Sequence, residues 1–249
     1  GESATTDFST YTYTPAPLTL PGITVNNYDG DILSASLLTI SGTTVNDGAL
    51  GTLAAGRLQL SNATLNSVAL NNAEGGVIEI VAGTTTTFDD TTLSPASLTN
   101  NAGATFEIGD AGRLALLTAA PFVNRGALLL GAGAKITEEY VGYYSGIAKF
   151  QNYGRIQFAG ADSTAAIDTD FANYATGVMD FSDGNTLRVN GGTFLNNGRI
   201  LLGNAGTTGT LSFYYLTSLT GGGSIQLGGL VKTTTDGIDS YHWENSCLL

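Results

Sequence analysis

One phrase recurs along the chain and limits what it can fold into. Residues Phe122–Gly131 read FVNRGALLLG, Phe150–Gly160 read FQNYGRIQFAG, and Phe194–Gly203 read FLNNGRILLG. Take the large apolar residue two places before an asparagine as the anchor. It falls at Leu70, Leu98, Phe122, Phe150, Phe171 and Phe194, at intervals of 28, 24, 28, 21 and 23 residues. A weaker copy starts at Leu219, 25 residues on, with Gly221 where the asparagine would be. Each copy continues into a short stretch with apolar residues at alternate positions: VIEI (Val77–Ile80), ATFEI (Ala104–Ile108), RIQF (Arg155–Phe158), VMDF (Val178–Phe181). A second such stretch often follows, as in RLAL (Arg113–Leu116), TLRV (Thr186–Val189) and TLSF (Thr210–Phe213). Period-2 alternation between turn residues is the pattern of half-buried strands.

Units of this length built from short strands and Gly/Asn turns describe an all-β parallel solenoid with coils of about 21–28 residues. Propeller blades run to about 40 residues, and leucine-rich repeats carry a different Leu/Asn pattern. Coils stack about 4.8 Å apart through backbone hydrogen bonds, so equivalent residues lie over one another. The phrase then reads as a corner instruction. Phe122, Phe150, Phe171 and Phe194 are expected to form an internal stack continued by Leu98 and Leu70. Asn100, Asn124, Asn152, Asn173 and Asn196 are expected at the next corner. Asparagine tolerates a left-handed backbone there, and its amide can bond to the asparagine of the next coil. Gly103, Gly126, Gly154 and Gly198 are expected to release the chain from the corner.

The first third repeats less cleanly, and the chain is read as one domain, 1–249. Residues 37–230 form the coils. Residues 1–36 form an N-terminal cap, because YTYTPAPLTLPGITVNNYDGDI (Tyr11–Ile32) holds three of the five prolines and prolines protect an open sheet edge. Residues 231–249 break the pattern and form either a C-terminal cap or the start of a truncated continuation.

Composition excludes several function classes. Nine basic residues against 21 acidic ones leave a net charge of −12, with no basic stripe for nucleic acid or an anionic bilayer. No apolar run reaches the ~18 residues of a membrane span, so this segment is not expected to insert. A lone cysteine, Cys247, permits no internal disulfide. A cysteine-poor, Gly-rich chain of this length suits a bacterial surface protein stabilised by its core.

The runs NNGRI and NNAGATFEI resemble the right-handed parallel β-helix passengers of autotransporters and filamentous-haemagglutinin-like adhesins, over roughly residues 37–230. The resemblance implies a single-stranded right-handed β-helix at the bacterial cell surface or outside the cell. It implies a rigid rod that serves cell adhesion and virulence by presenting loops to glycans or cell-surface proteins. The membrane barrel of the one group and the secretion signature of the other are not visible.

Many parallel β-helices act on polysaccharides, and that activity needs clustered carboxylates. Candidates are Asp89 and Asp90, Asp168 and Asp170, and Asp180 with Asp183. The Gly-His-Gly and Arg-x-Lys of polygalacturonase-like sites are missing; the one histidine is His242. Basic residues, which lyase sites need in a cluster, are scattered, although Arg125 and Arg155 are placed to lie one coil apart. No catalytic residue is assigned. NNYDGDI (Asn26–Ile32) and DFSDGN (Asp180–Asn185) space oxygens as calcium loops do, but neither completes the twelve-residue loop with its closing Glu. No metal ligand and no cofactor is assigned. Thr84–Thr87 and Thr233–Thr235 run along the chain, whereas an ice-binding face needs threonines repeated from coil to coil.

Aromatic recognition is the more concrete expectation. The residue after the corner asparagine varies as Arg125, Tyr153, Tyr174 and Asn197, which stacking would turn into one outward column. The longest insertion, TEEYVGYYSG (Thr137–Gly146), adds Tyr140, Tyr143 and Tyr144. These five tyrosines are the expected binding residues, for a glycan or a protein partner, because exposed tyrosines grip ligands at low entropic cost. Two alternatives accompany this reading: a carbohydrate-active enzyme or tail-spike, and a subunit that self-associates end to end through its terminal coils.

Overall fold

A computed structural model describes residues 17–28, 30–89, 97–117, 121–138, 150–190, 193–203, 207–214 and 218–227. Those residues form 28 strands and no helix, so none of them builds a helix able to cross a membrane. The first circuit is β1 (Leu18–Pro21), β2 (Thr24–Asn26) and β3 (Asp31–Ser34). The next strand, Leu37–Ser41, pairs in parallel with β1, and the cycle repeats down to Ser224–Leu227. The result is three parallel sheets of ten, nine and nine strands, here sheets A, B and C, each taking one strand per coil. The fold is the β-solenoid expected from the repeats.

The interior is made of stacked like residues. Down sheet C, Leu50, Leu70, Leu98, Phe122, Phe150, Phe171 and Phe194 lie in direct register. The four phenylalanines have no solvent exposure. Their neighbouring ring centroids are 4.9, 4.9 and 5.1 Å apart. Each buried ring contributes on the order of 1.5–3 kcal/mol. Sheet A supplies Leu38, Leu58, Ile78, Phe106, Leu128, Ile156, Met179 and Ile200, all buried. Phe106 meets Phe122 at 5.2 Å and Phe194 meets Phe213 at 5.5 Å, tying sheet C to its two neighbours.

The corner asparagines form the expected ladder, with Asn72 added at its head. Each Nδ2 donates to the Oδ1 one coil on, from Asn72 through Asn100, Asn124, Asn152 and Asn173 to Asn196, at 2.7–2.9 Å. Above Asn72 the series is completed by the Thr52 hydroxyl, which donates to it at 2.6 Å. The ladder members are not in the left-handed region, contrary to expectation. Among the described residues, those with positive φ other than glycine are Tyr28, Asp47, Ala55, Asn62, Ser67, Ala111, Asp162 and Asp183. The ladder asparagines end extended strands, so the side-chain amide alone selects asparagine. Glycine at the following corner also has another cause. Gly103 is left-handed, with φ +77°, but Gly126, Gly154 and Gly198 are not. A Cβ on Gly126, Gly154 or Gly198 would meet a backbone oxygen of the preceding coil at 2.3, 2.1 or 2.3 Å. Close approach of coils excludes a side chain there.

The first third is the most regular part, not the least. Asn46 and Asn66 each donate to the asparagine 20 residues before, making a second ladder with Asn26. Leu18, Leu38 and Leu58 keep the same step in sheet A. Residues 18–34, expected as part of a cap over the first coil, are themselves a coil. Most of the added length in the 28-residue intervals further on has one origin. Extra chain lies between strands Thr85–Asp89 and Ser97–Asn100, and again between Lys135–Glu138 and Phe150–Asn152. Both additions fall where the chain passes from sheet B to sheet C.

Candidate binding surface

The corner between sheets C and A carries the column anticipated from the phrase. Stacking turns Tyr153 and Tyr174 into parallel rings 4.4 Å apart with 3° between their planes. The Arg125 guanidinium stands over Tyr153, 5.7 Å from the ring centroid, and Asn197 follows below, its Oδ1 accepting from the Gly222 N–H at 3.1 Å. Parallel offset rings and a cation over a ring face are both favourable arrangements. Burial holds the Tyr174 hydroxyl above its usual range, helped by the charge and a hydrogen bond of Tyr153.

The next two positions build a groove beside this column. After each corner residue comes the glycine position, directly at Gly126, Gly154 and Gly198 and after Ala175 and Thr176 at Gly177, where side chains are sterically excluded. The position after that opens sheet A and points outward, in register Ala127, Arg155, Val178, Arg199. A glycine floor therefore runs along the axis between a wall headed by Arg125 and the tyrosines and a wall carrying Arg155 and Arg199. The depression holds about 400 Å³ and is lined by Gly126, Gly154, Arg125, Arg155, Thr176 and Val178, among others. Thr176 is fixed at its rim, donating its hydroxyl to the Tyr153 carbonyl at 2.7 Å.

Arginine is concentrated here against the sign of the whole chain. Asp180 pairs with Arg155, and the Glu74 side chain lies against Gly103 at the far end of the same depression. Arg199 reaches the Gln226 side chain at 3.2 Å, and Arg125 has no carboxylate within ion-pair distance among the described residues. Arg125 and Arg155 are indeed one coil apart, but in adjacent columns. The convergence was legible in NYGR (Asn152–Arg155) and NNGR (Asn196–Arg199), where glycine separates corner residue from arginine, and in NRGA (Asn124–Ala127), where arginine is itself the corner residue. Reading the corner residue alone missed the second wall.

The other sequence candidates fall elsewhere. Tyr140, Tyr143 and Tyr144 lie outside the described residues. Asp168 accepts from Asn190 Nδ2 at 2.6 Å, and Asp170 accepts from the Thr193 N–H at 2.9 Å. In DFSDGN, Asn185 closes the turn, accepting from the Ser163 N–H at 2.9 Å and donating to the Ser182 carbonyl at 2.5 Å. Among the described residues no three His, Cys, Asp or Glu side chains converge. The side chain of Asp89, all of Asp90 and His242 lie outside the described part.

No protein-family model matches this chain, and comparison with curated proteins gives no match. Among solved structures, one titled "Crystal structure of TibC-catalyzed hyper-glycosylated TibA55-350 fragment" aligns with 84% of this chain and 93% of that chain. The identity is 15% and the TM-score 0.29.

Proposed function

We propose that the chain is the rod of an adhesin-like protein at the bacterial cell surface, which binds glycans or cell-surface partners without catalysis. The supporting observation is the Tyr153–Tyr174 stack, presented outward on a stiff scaffold and capped by Arg125. A ladder of buried amides and stacked rings fixes each coil on the next, so surface residues keep their spacing without ligand. A preorganised aromatic surface loses little entropy on binding. Tyr140, Tyr143 and Tyr144 are part of the same proposed binding role.

The test is retention on a broad glycan array and on intact host cells, with mass spectrometry of any released fragments. Wild-type protein is expected to be retained without fragmenting the ligand. The Tyr153→Ala/Tyr174→Ala variant is expected to lose most of that retention while keeping the β-sheet circular dichroism spectrum. Retention unchanged in that variant and in the Tyr140/Tyr143/Tyr144 triple alanine variant would refute the assignment. Released oligosaccharides would establish the carbohydrate-active alternative. A mass that grows with concentration, with no ligand bound, would establish end-to-end self-association.

A further inference from the structure

The groove between the tyrosine and arginine walls has a charge that the rest of the chain does not. Three of the nine basic residues sit along it in a molecule of net charge −12. Two of the three, Arg125 and Arg155, line one shallow depression of about 400 Å³. Arg155 is engaged in part by Asp180, and Arg125 lies over an aromatic face, which leaves the edge donors of its guanidinium to a ligand. Elsewhere on the same outer face arginine is balanced. Arg57 pairs with Glu79 at 2.6 Å and stands 3.8 Å from Glu107.

We propose that this groove binds an acidic saccharide, its sugar ring lying on the glycine floor beside the tyrosine wall and its carboxylate between Arg125 and Arg155. Three features of the site match that ligand class. A floor without side chains accepts a flat ring against backbone. The guanidinium fork matches a carboxylate in two parallel hydrogen bonds, which an ammonium cannot do. The Thr176 oxygen, whose proton is already given to the Tyr153 carbonyl, supplies an acceptor for a sugar hydroxyl. The surrounding acidic surface repels polyanions at long range and leaves a short basic segment as the place where an acid is tolerated. Such a segment selects a single acidic sugar within a chain over a uniformly charged polymer. This proposal rests on the binding role given above and narrows it to one site and one ligand class.

The experiment is calorimetric titration of the whole chain with two oligosaccharides that each carry a single acidic sugar, sialyllactose and a glucuronic-acid-containing disaccharide, each beside its carboxyl-methyl-esterified counterpart. At least one acid form is expected to bind, with the ester at least roughly tenfold weaker. Arg125→Gln and Arg155→Gln are each expected to weaken the acid form by roughly ten- to a hundredfold and leave the ester unchanged. Arg188→Gln, on the outside of sheet B, is expected to bind as wild type does. Affinity for the acid form is expected to fall between 0.05 and about 0.5 M salt. Equal binding of acid and ester, or acid binding indifferent to Arg125→Gln, overturns the acidic ligand and leaves the binding role standing. No binding of either acid form also overturns it, and retention on host cells then decides the binding role by itself.

Discussion

Removing Asn124 tests whether the amide ladder, rather than the apolar stack beside it, fixes one coil on the next. Asn124 is fully buried, accepts from Asn100 Nδ2 at 2.7 Å, and donates to Asn152 Oδ1 at 2.8 Å and to the Arg155 carbonyl at 3.3 Å. In Asn124→Ala, Asn100 Nδ2 keeps its second acceptor, the Ala127 carbonyl, at 2.9 Å. Asn152 Oδ1 keeps no ladder donor and stays buried. Orphaning a buried acceptor costs about 1–3 kcal/mol, and each lost hydrogen bond about 0.5–1.5 kcal/mol besides. With two ladder hydrogen bonds lost and one acceptor orphaned, the total is about 2–6 kcal/mol. The same change at the foot of the ladder, Asn196→Ala, removes one acceptor, from Asn173 Nδ2 at 2.9 Å, at a site 6% exposed. Its cost is about 1–2 kcal/mol. Asn124→Asp is expected to be at least as harmful as Asn124→Ala, since it sets a carboxylate oxygen against Asn152 Oδ1. Equilibrium unfolding in urea, followed by circular dichroism, measures all three. If Asn124→Ala and Asn196→Ala fall within about 0.5 kcal/mol of one another, or in reverse order, the ladder is not what fixes the coils.

Other expectations follow from single contacts. Gly154→Ala places a Cβ 2.1 Å from the Gly126 carbonyl oxygen and is expected to cost about 1–3 kcal/mol in urea unfolding, while Gly222→Ala, with nothing within 4 Å, is expected to be neutral. Phe150→Ala, in the middle of the ring stack, is expected to cost about 3–5 kcal/mol by the same measurement. Glu79 accepts from Arg57 and from Gln59 at 2.8 Å while the arginine is 42% exposed, so Glu79→Ala is expected to cost under about 1 kcal/mol, less in 1 M salt. Tyr174 is expected to ionise above the ordinary tyrosine range. The unfolded chain releases that proton first, so this contribution to stability is present below about pH 10 and is lost as pH rises through the folded value. Ultraviolet difference titration against Tyr174→Phe reads it, and Tyr153→Phe is expected to bring the midpoint down.

The fold was legible because stacking makes sequence spacing a direct image of geometry. Residues Phe122, Phe150, Phe171 and Phe194 are neighbours in space for the same reason that they look alike. Two errors came from reading single positions by intrinsic preference. Asparagine was given a left-handed backbone, but its neighbour in the next coil supplies a better reason for it. Glycine was given a conformational role, where Gly154 and Gly198 answer to steric contact with another coil. The strict 20-residue step of the first coils went unread because the search began from the Leu-x-Asn phrase. That phrase starts at Leu70, whereas the earlier coils repeat Thr-Val-Asn at Thr24–Asn26 and Thr44–Asn46. At the candidate site the tyrosine column could be read, being one position repeated. The groove needs three adjacent positions read together across coils, and only their alignment shows it.

Most of the added length in both long intervals lies between sheets B and C, and this separates what must be constant from what is free to vary. Asn72 and Asn100 are bonded at 2.8 Å although 28 residues separate them, and Asn46 and Asn26 are bonded at the same distance across 20. Lengthening a connection costs only about 0.6 kcal/mol per doubling. A sequence of this type can therefore acquire or lose residues at that edge with little penalty and no change of register. Recombination, slippage and selection for new loops would act there, while the opposite corner, floored by glycines that tolerate no side chain, would change least.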